Sequence, residues 1–95
     1  MSASSEPTTE VYVVLPADLH ARPAGQVTKA AAGFDAHVWL STETRDEVDS
    51  RSVLAVMGLG AVAGESVRVR ATGTQADEAV AAVASVLSAA KAVAN

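Results

Sequence analysis

Segments in which every second residue is small and apolar constrain the fold of this chain more than any other feature. The clearest is 66–71, where valine and alanine alternate with Arg68 and Arg70. Similar alternation occurs at 11–15 and at 36–41. A period of two residues is typical of strands that have one face on the core and the other in water. The sequence therefore predicts a sheet with one apolar and one polar face.

Two longer segments have the spacing of helices. Residues 21–32 are predicted to be helical, because Pro23 is tolerated in a first turn and Gly33 is a natural stop. The apolar positions of this helix are Ala24, Val27 and Ala31. Near the C-terminus, Thr74 and Asp77 resemble a capping box that opens a final helix. Its predicted core face is Ala76, Val80, Val83, Leu87 and Ala90.

Between these elements lie a polar turn at 42–46 and a short edge strand predicted at 47–49. Ser52 is a good N-cap for a short helix through about Met57. That helix is apolar on most sides, so composition leaves open whether it is buried or forms part of a docking surface. The complete order is βαββαβα, which favours an α+β fold with three helices on one face of a four-stranded antiparallel sheet.

Composition limits the classes of protein to consider. The chain of 95 residues supports one domain, predicted at 10–95, after a flexible lead-in at 1–9. The net charge of −4, from 11 acidic and 7 basic residues, argues against binding to nucleic acid. Without cysteine, and with two histidines far apart, no metal or cofactor is expected. No apolar run or signal sequence indicates a membrane, so we expect a cytoplasmic monomer.

The stretch 19–24, which reads Leu-His-Ala-Arg-Pro-Ala, carries the strongest chemical signal. It places His20 at the start of a helix, where unpaired N–H groups and the helix dipole favour an anion. A neutral imidazole has a lone pair that can accept a phosphoryl group without an auxiliary base. Arg22 adds a charged donor fork that suits phosphate. The plain alternative is that His20 is an ordinary polar residue at a helix start.

The 19–24 stretch closely resembles the active-site motif of HPr, the histidine-containing phosphocarrier family of the bacterial sugar phosphotransferase system. Residues 52–60 resemble the regulatory-serine segment of that family. The resemblance implies an open-faced β-sandwich with strand order 1-4-2-3. It also implies that Nδ1 of His20 accepts the phosphoryl group from the phosphoenolpyruvate-dependent Enzyme I and passes it to a sugar-specific Enzyme IIA, while Arg22 holds the phosphoryl oxygens. Such a protein is a shared carrier rather than an enzyme.

The same resemblance assigns roles to the short helix. Ser52 matches a serine that a dedicated kinase phosphorylates in some relatives, although a plain N-cap explains it equally simply; Ser50 is a nearby candidate with less support. The helix is the surface that relatives use to bind partners. We expect Val53 and Met57 to face a partner and Leu54 to face the interior.

Asp18 departs from the family, which usually has glycine two residues before the histidine. Glycine and aspartate both tolerate a positive φ, which we expect at this position. The Asp18 carboxylate would lie close to the arriving phosphate. On this reasoning, Asp18→Gly is expected to raise the rate of phosphotransfer.

On the polar face, Arg68 and Arg70 are expected to stack on Tyr12 and Trp39. His37 is expected to be a solvated strand residue. Two other functions stay open at this point: a regulatory paralogue that signals carbon or nitrogen state, and an α/β interaction module whose histidine never reacts.

Overall fold

A computed structural model describes residues 8–90 as four strands and three helices. In chain order the elements are β1 (Thr8–Val14), α1 (Ala21–Ala32), β2 (His37–Ser41), β3 (Val48–Asp49), α2 (Val53–Gly58), β4 (Ser66–Thr72) and α3 (Ala76–Ser88). The predicted α+β order is confirmed. No helix in this range is long and apolar enough to cross a membrane.

The strands form one antiparallel sheet in the order β1-β4-β2-β3, as the resemblance implied. The inward residues Val67 and Val69 of the central strand β4 are fully buried. Burial of a valine side chain contributes about 1.5–3 kcal/mol. The period of two in 66–71 therefore fixes which face the helices cover.

Strand β1 begins earlier than the sequence pattern predicted. Thr8 and Thr9 pair with Thr72 and Ala71 of β4, so the last two residues of the expected lead-in belong to the sheet. The alternation of apolar residues does not include these polar threonines. Threonine nevertheless suits a strand because it is β-branched. The remainder of the lead-in, 1–7, lies outside the described residues, as do the last five residues of the predicted domain.

Helix α1 has the predicted bounds, and its stripe of Ala24, Val27 and Ala31 is buried. Gly33 follows the helix as its C-cap with φ of −79°, so it ends α1 without adopting the left-handed conformation. The predicted core face of α3 is buried as well, and Ala79 joins it.

The predicted capping box of α3 is wrong. Gln75 is the N-cap and makes no side-chain cap bond. The Thr74 hydroxyl instead donates to the Asp35 carboxylate at 2.5 Å, and Asp77 accepts a bond from Thr9. Both side chains have tertiary partners, which a local sequence motif cannot reveal.

The polar face of the sheet carries the predicted cation–π contact at one of its two aromatic residues. The Arg70 guanidinium lies 4.2 Å from the Trp39 ring centroid, and His37 stacks on the same ring at 4.0 Å. Arg68 pairs with carboxylates instead, 2.9 Å from Glu47 and 3.6 Å from Glu10. Within residues 8–90 the stack therefore forms on Trp39 and not on Tyr12.

Candidate functional site

The loop that precedes α1 is fixed at alternate residues. Leu15, Ala17 and Leu19 are buried. The Leu15 amide donates to the Glu65 carbonyl at 2.9 Å, and the Leu19 amide donates to the Ala61 carbonyl at 3.0 Å. Both ends of this loop bond to the segment before β4. The backbone just before residue 20 is therefore fixed in position.

That residue is His20, which occupies the N-cap position of α1 as predicted. Its carbonyl accepts the first helical bond from the Ala24 amide at 3.0 Å. Its side chain makes no cap bond and is 55% exposed. More than half of the imidazole is therefore accessible to solvent.

The first turn of α1 is prepared for an anion. It holds no acidic residue, and Pro23 lacks an N–H. Within residues 8–90 the amides of Ala21 and Arg22 have no protein acceptor. The exposed Arg22 side chain forms no ion pair with any residue in this range. Free backbone N–H groups and a guanidinium are groups that can bind an anion at a helix start.

Asp18 differs from its predicted geometry. Every residue with a positive φ in the described chain is a glycine, so Asp18 does not take the place of glycine for backbone reasons. Its carboxylate makes a tertiary bond instead: Oδ1 accepts from the Ala63 amide at 2.8 Å. The other oxygen, Oδ2, lies 3.7 Å from His20 Nε2. The Ala63 amide is a part of the site that sequence reasoning missed, because nothing local marks it.

Helix α2 shows which of its apolar side chains are available. Ser52 is the N-cap, as predicted, and its exposed Oγ accepts from the Ala55 amide at 3.1 Å. Val53 and Met57 are 36% and 37% exposed, in agreement with the predicted outward faces. Leu54 was expected in the interior, but it is 79% exposed.

The interior position of α2 belongs to Val56, which is fully buried. A helix of six residues is short and buries a single side chain here. Val56, three positions before the buried Leu59, is the residue that packs into the core. Val62, in the following loop, is a further exposed apolar residue that the sequence did not single out. We call the exposed set on α2, which is Val53, Leu54 and Met57, the apolar patch.

The second histidine is at the other end of the sheet. His37 pairs with Thr72, whereas the loop of His20 leaves β1 at Val14, which pairs with Ser66. His37 Nε2 lies 2.8 Å from Asp49 Oδ2, so His37 is a hydrogen-bonded strand residue rather than a merely solvated one. Arg51, which bonds the same carboxylate, and then His37 hold the pKa of Asp49 well below its usual range. No group of residues suited to a metal occurs among residues 8–90.

Ser50 is not accessible for modification. It is 1% exposed, and its Oγ has no partner within the described chain, while its carbonyl accepts from the Thr28 hydroxyl at 2.8 Å. Ser52, two residues later, is the exposed hydroxyl of this pair. Burial thus separates two serines that are close in sequence.

Comparison with known proteins identifies the family of this chain. The family model described as "PTS HPr component phosphorylation site" matches residues 7–89. A phosphocarrier protein HPr from Haloferax volcanii is 46% identical over 77 residues, which cover 79% of this chain and 86% of the relative. A phosphocarrier protein NPr from Escherichia coli K12 is 42% identical over 65 residues, which cover 68% and 72% of the two chains.

Solved structures agree with the fold. The crystal structure of a phosphocarrier protein HPr from Bacillus anthracis superposes with a TM-score of 0.74 at 26% identity, covering 88% of this chain and 99% of that one. Strand order, helix placement and the family match over most of the sequence lead to one conclusion. The chain belongs to the HPr family of phosphocarrier proteins of the phosphotransferase system.

Proposed function

We propose that this protein carries a phosphoryl group on His20, receiving it from Enzyme I and delivering it to a sugar-specific Enzyme IIA. The observation behind the proposal is the exposed imidazole at the start of α1, in the same first turn as backbone amides and an Arg22 side chain that have no protein partner within residues 8–90. Enzyme I and Enzyme IIA act in the cytoplasm, so we propose that this protein is cytoplasmic.

The transfer needs little chemical machinery in the carrier. The Nδ1 lone pair forms a bond to phosphorus, while the bond from phosphorus to its donor breaks and its electrons leave with the donor. Arg22 and the first-turn amides hold the charge on the phosphoryl oxygens. Because these donors are exposed, they stabilise the phosphoryl group only moderately, which suits a carrier that must release it again.

The apolar patch supports a docking role for α2, which packs against α1. Leu54 presents most of its side chain to water, and no residue of the described chain covers it. Exposed apolar side chains that cluster on one surface often mark a protein interface. We assign the patch to contact with Enzyme I and Enzyme IIA, with Leu54 added to the predicted pair Val53 and Met57.

Ser52 is a candidate for phosphorylation by a serine kinase. Its hydroxyl is exposed beside the apolar patch, so a phosphate would add about −1.5 to −2 charges to the docking surface. The N-cap bond to the Ala55 amide explains the same serine without any kinase. Mass analysis of Ser52 in protein from its native cells distinguishes these two roles.

The experiment that tests the carrier function is incubation with Enzyme I, phosphoenolpyruvate and Mg²⁺. We expect the mass gain of one phosphoryl group, labile in acid and stable in base, that disappears in His20→Ala. His37→Ala is the matched control and should keep the gain, because His37 lies at the opposite end of the sheet. A protein that gains nothing from an active Enzyme I would be the unreactive interaction module.

A second candidate function is the regulatory paralogue, which would deliver its phosphoryl group to a signalling acceptor. The observation that favours it is that the similar proteins include one named NPr, beside those named HPr. Phosphorylated protein should be mixed with a sugar-specific Enzyme IIA. Onward transfer supports the sugar route, and retention of the phosphoryl group supports the regulatory one.

A further inference from the structure

The carboxylate of Asp18 connects the active-site loop to the neighbouring segment. One oxygen accepts from the Ala63 amide at 2.8 Å, and the other lies 3.7 Å from His20 Nε2. The Ala63 segment is itself held to the loop by the bond from the Gly64 amide to the Leu15 carbonyl at 2.8 Å. Because Oδ1 bonds to Ala63, and the Ala63 segment is held to the loop, the fold sets the position of Oδ2 beside the imidazole.

An ionised carboxylate can only accept hydrogen bonds. Beside Nε2 it therefore favours the tautomer that carries its proton on Nε2, and in that tautomer Nδ1 holds the lone pair. We propose that Asp18 is a positioning residue that keeps the proton of His20 on Nε2 and so leaves Nδ1 ready to attack phosphorus. The inference rests on the proposed phosphoryl transfer to His20.

The electron balance of the step agrees with this role. The Nδ1 lone pair becomes the new N–P bond, the electrons of the old bond leave with the donor, and the Nε2 proton stays in place. The ring thereby becomes a cation whose N–H points to Asp18, so the carboxylate stabilises the charge that develops. The distance of 3.7 Å is longer than a hydrogen bond, as is common before a catalytic complex assembles.

This geometry reverses the effect expected from the sequence alone. The carboxylate faces Nε2, whereas the phosphoryl group bonds to Nδ1 on the other side of the ring. Attraction to the ring cation is then more direct than repulsion of the phosphoryl oxygens. Asp18 and His20 are 46% and 55% exposed, so water weakens the interaction without removing it.

Asp18→Asn tests the proposal with little change of shape. The amide oxygen can still accept from the Ala63 amide, but its NH₂ group then faces Nε2 and favours a lone pair there. Long-range ¹H–¹⁵N NMR of the unphosphorylated protein, at a pH where the ring is neutral, reports the tautomer. We expect mainly Nε2–H in the original protein and a shift towards Nδ1–H in the variant.

The same variant should slow single-turnover transfer from phosphorylated Enzyme I by about two- to fivefold, the scale of a partly exposed ion pair. An unchanged Ala63 amide shift shows that the loop is intact. Asp46→Asn is the control, because it makes the same charge change on the exposed turn between β2 and β3. It should alter neither the tautomer nor the rate.

An identical tautomer in Asp18→Asn would overturn the proposal, and so would a faster rate in Asp18→Gly, which would show that the carboxylate repels phosphate. Failure of the original protein to become phosphorylated is a different outcome. It would reject the carrier function, whereas the tautomer measurement needs no Enzyme I and still decides the role of Asp18.

Discussion

At the scale of single residues, the space around the backbone limits which residue a position can hold. Gly73 joins β4 to α3 with φ of 119°, a value that L-residues rarely adopt. A Cβ at this position would lie 2.9 Å from the Ala36 Cα and 3.0 Å from the Asp35 carbonyl oxygen. Both atoms belong to the backbone, so they cannot move aside as a flexible side chain would.

Gly73→Ala should therefore lower the free energy of unfolding by about 2–4 kcal/mol, since it combines an unfavourable φ with a steric clash. Urea unfolding measures the loss. Gly25→Ala is the matched control, because a Cβ at that helical position meets nothing within 4 Å and glycine has the lower helix propensity. The control should be neutral or stabilising by up to about 1 kcal/mol. Equal stability of the two variants would contradict the assignment.

At the scale of elements, helix α2 carries side chains with different tasks. Val56 of this helix is buried in the core, while Leu54, two residues earlier, is the most exposed of its apolar side chains. Truncation of one should affect stability, and truncation of the other should affect partner binding. The helix itself depends on its cap, because six residues are too few to be stable alone.

Leu54→Ala should raise the KM for transfer from Enzyme I several-fold and leave the thermal midpoint nearly unchanged, because the side chain has no core contact to lose. Steady-state phosphotransfer and thermal melting give the two values. Val14→Ala is the control: Val14 is also exposed, at 66%, but it points to the polar face of the sheet, away from α2. A KM raised equally by both substitutions would remove the docking role of the patch.

Ser52→Ala tests the cap of the same helix. Loss of the bond to the Ala55 amide should cost about 1 kcal/mol of stability. Ser52→Asp keeps an acceptor at the cap and should retain most of that stability. Guanidinium unfolding separates these outcomes, and a fully stable Ser52→Ala would show that the observed bond contributes nothing.

At the scale of the whole molecule, the polar face of the sheet is held by charges rather than by apolar contacts. Bonds from Arg70, and less strongly from Arg68, hold the pKa of Glu47 below its usual value against the effect of burial. Arg51 does the same for Asp49. These carboxylates link β3 and the preceding turn to the rest of the sheet.

The lowered pKa values predict how stability depends on pH. A carboxylate with a folded pKa below its unfolded value binds fewer protons in the native state, so its contribution is present above about pH 4 and is lost as pH falls. We expect Asp49→Asn to cost about 0.5–1 kcal/mol at pH 7, given the partial exposure of the pair, and little near pH 2. Urea unfolding across this range provides the test. The exposed Glu43→Gln serves as control, and a pH-independent loss in Asp49→Asn would contradict the linkage.

The sequence by itself determined the sheet, the three helices and the place of His20 at a helix start. Alternation in 66–71 and the helical stripes of α1 and α3 depend only on local spacing, and His20 stands next to its own helix start. These features were correct because the physics that produces them acts between residues close in the chain.

Only the tertiary structure decided which side chains of α2 face water, where Thr74 and Asp77 bond, and where the Asp18 carboxylate lies. A short helix that is apolar on every side has no pattern to show its inner face, so the available core space selected Val56 over Leu54. Asp18 acquires its geometry from the Ala63 amide, 45 residues further along the chain. Contacts between residues so far apart form when the elements pack. For that reason the loop that carries His20 could be located from the sequence, while the position of the Asp18 carboxylate could not.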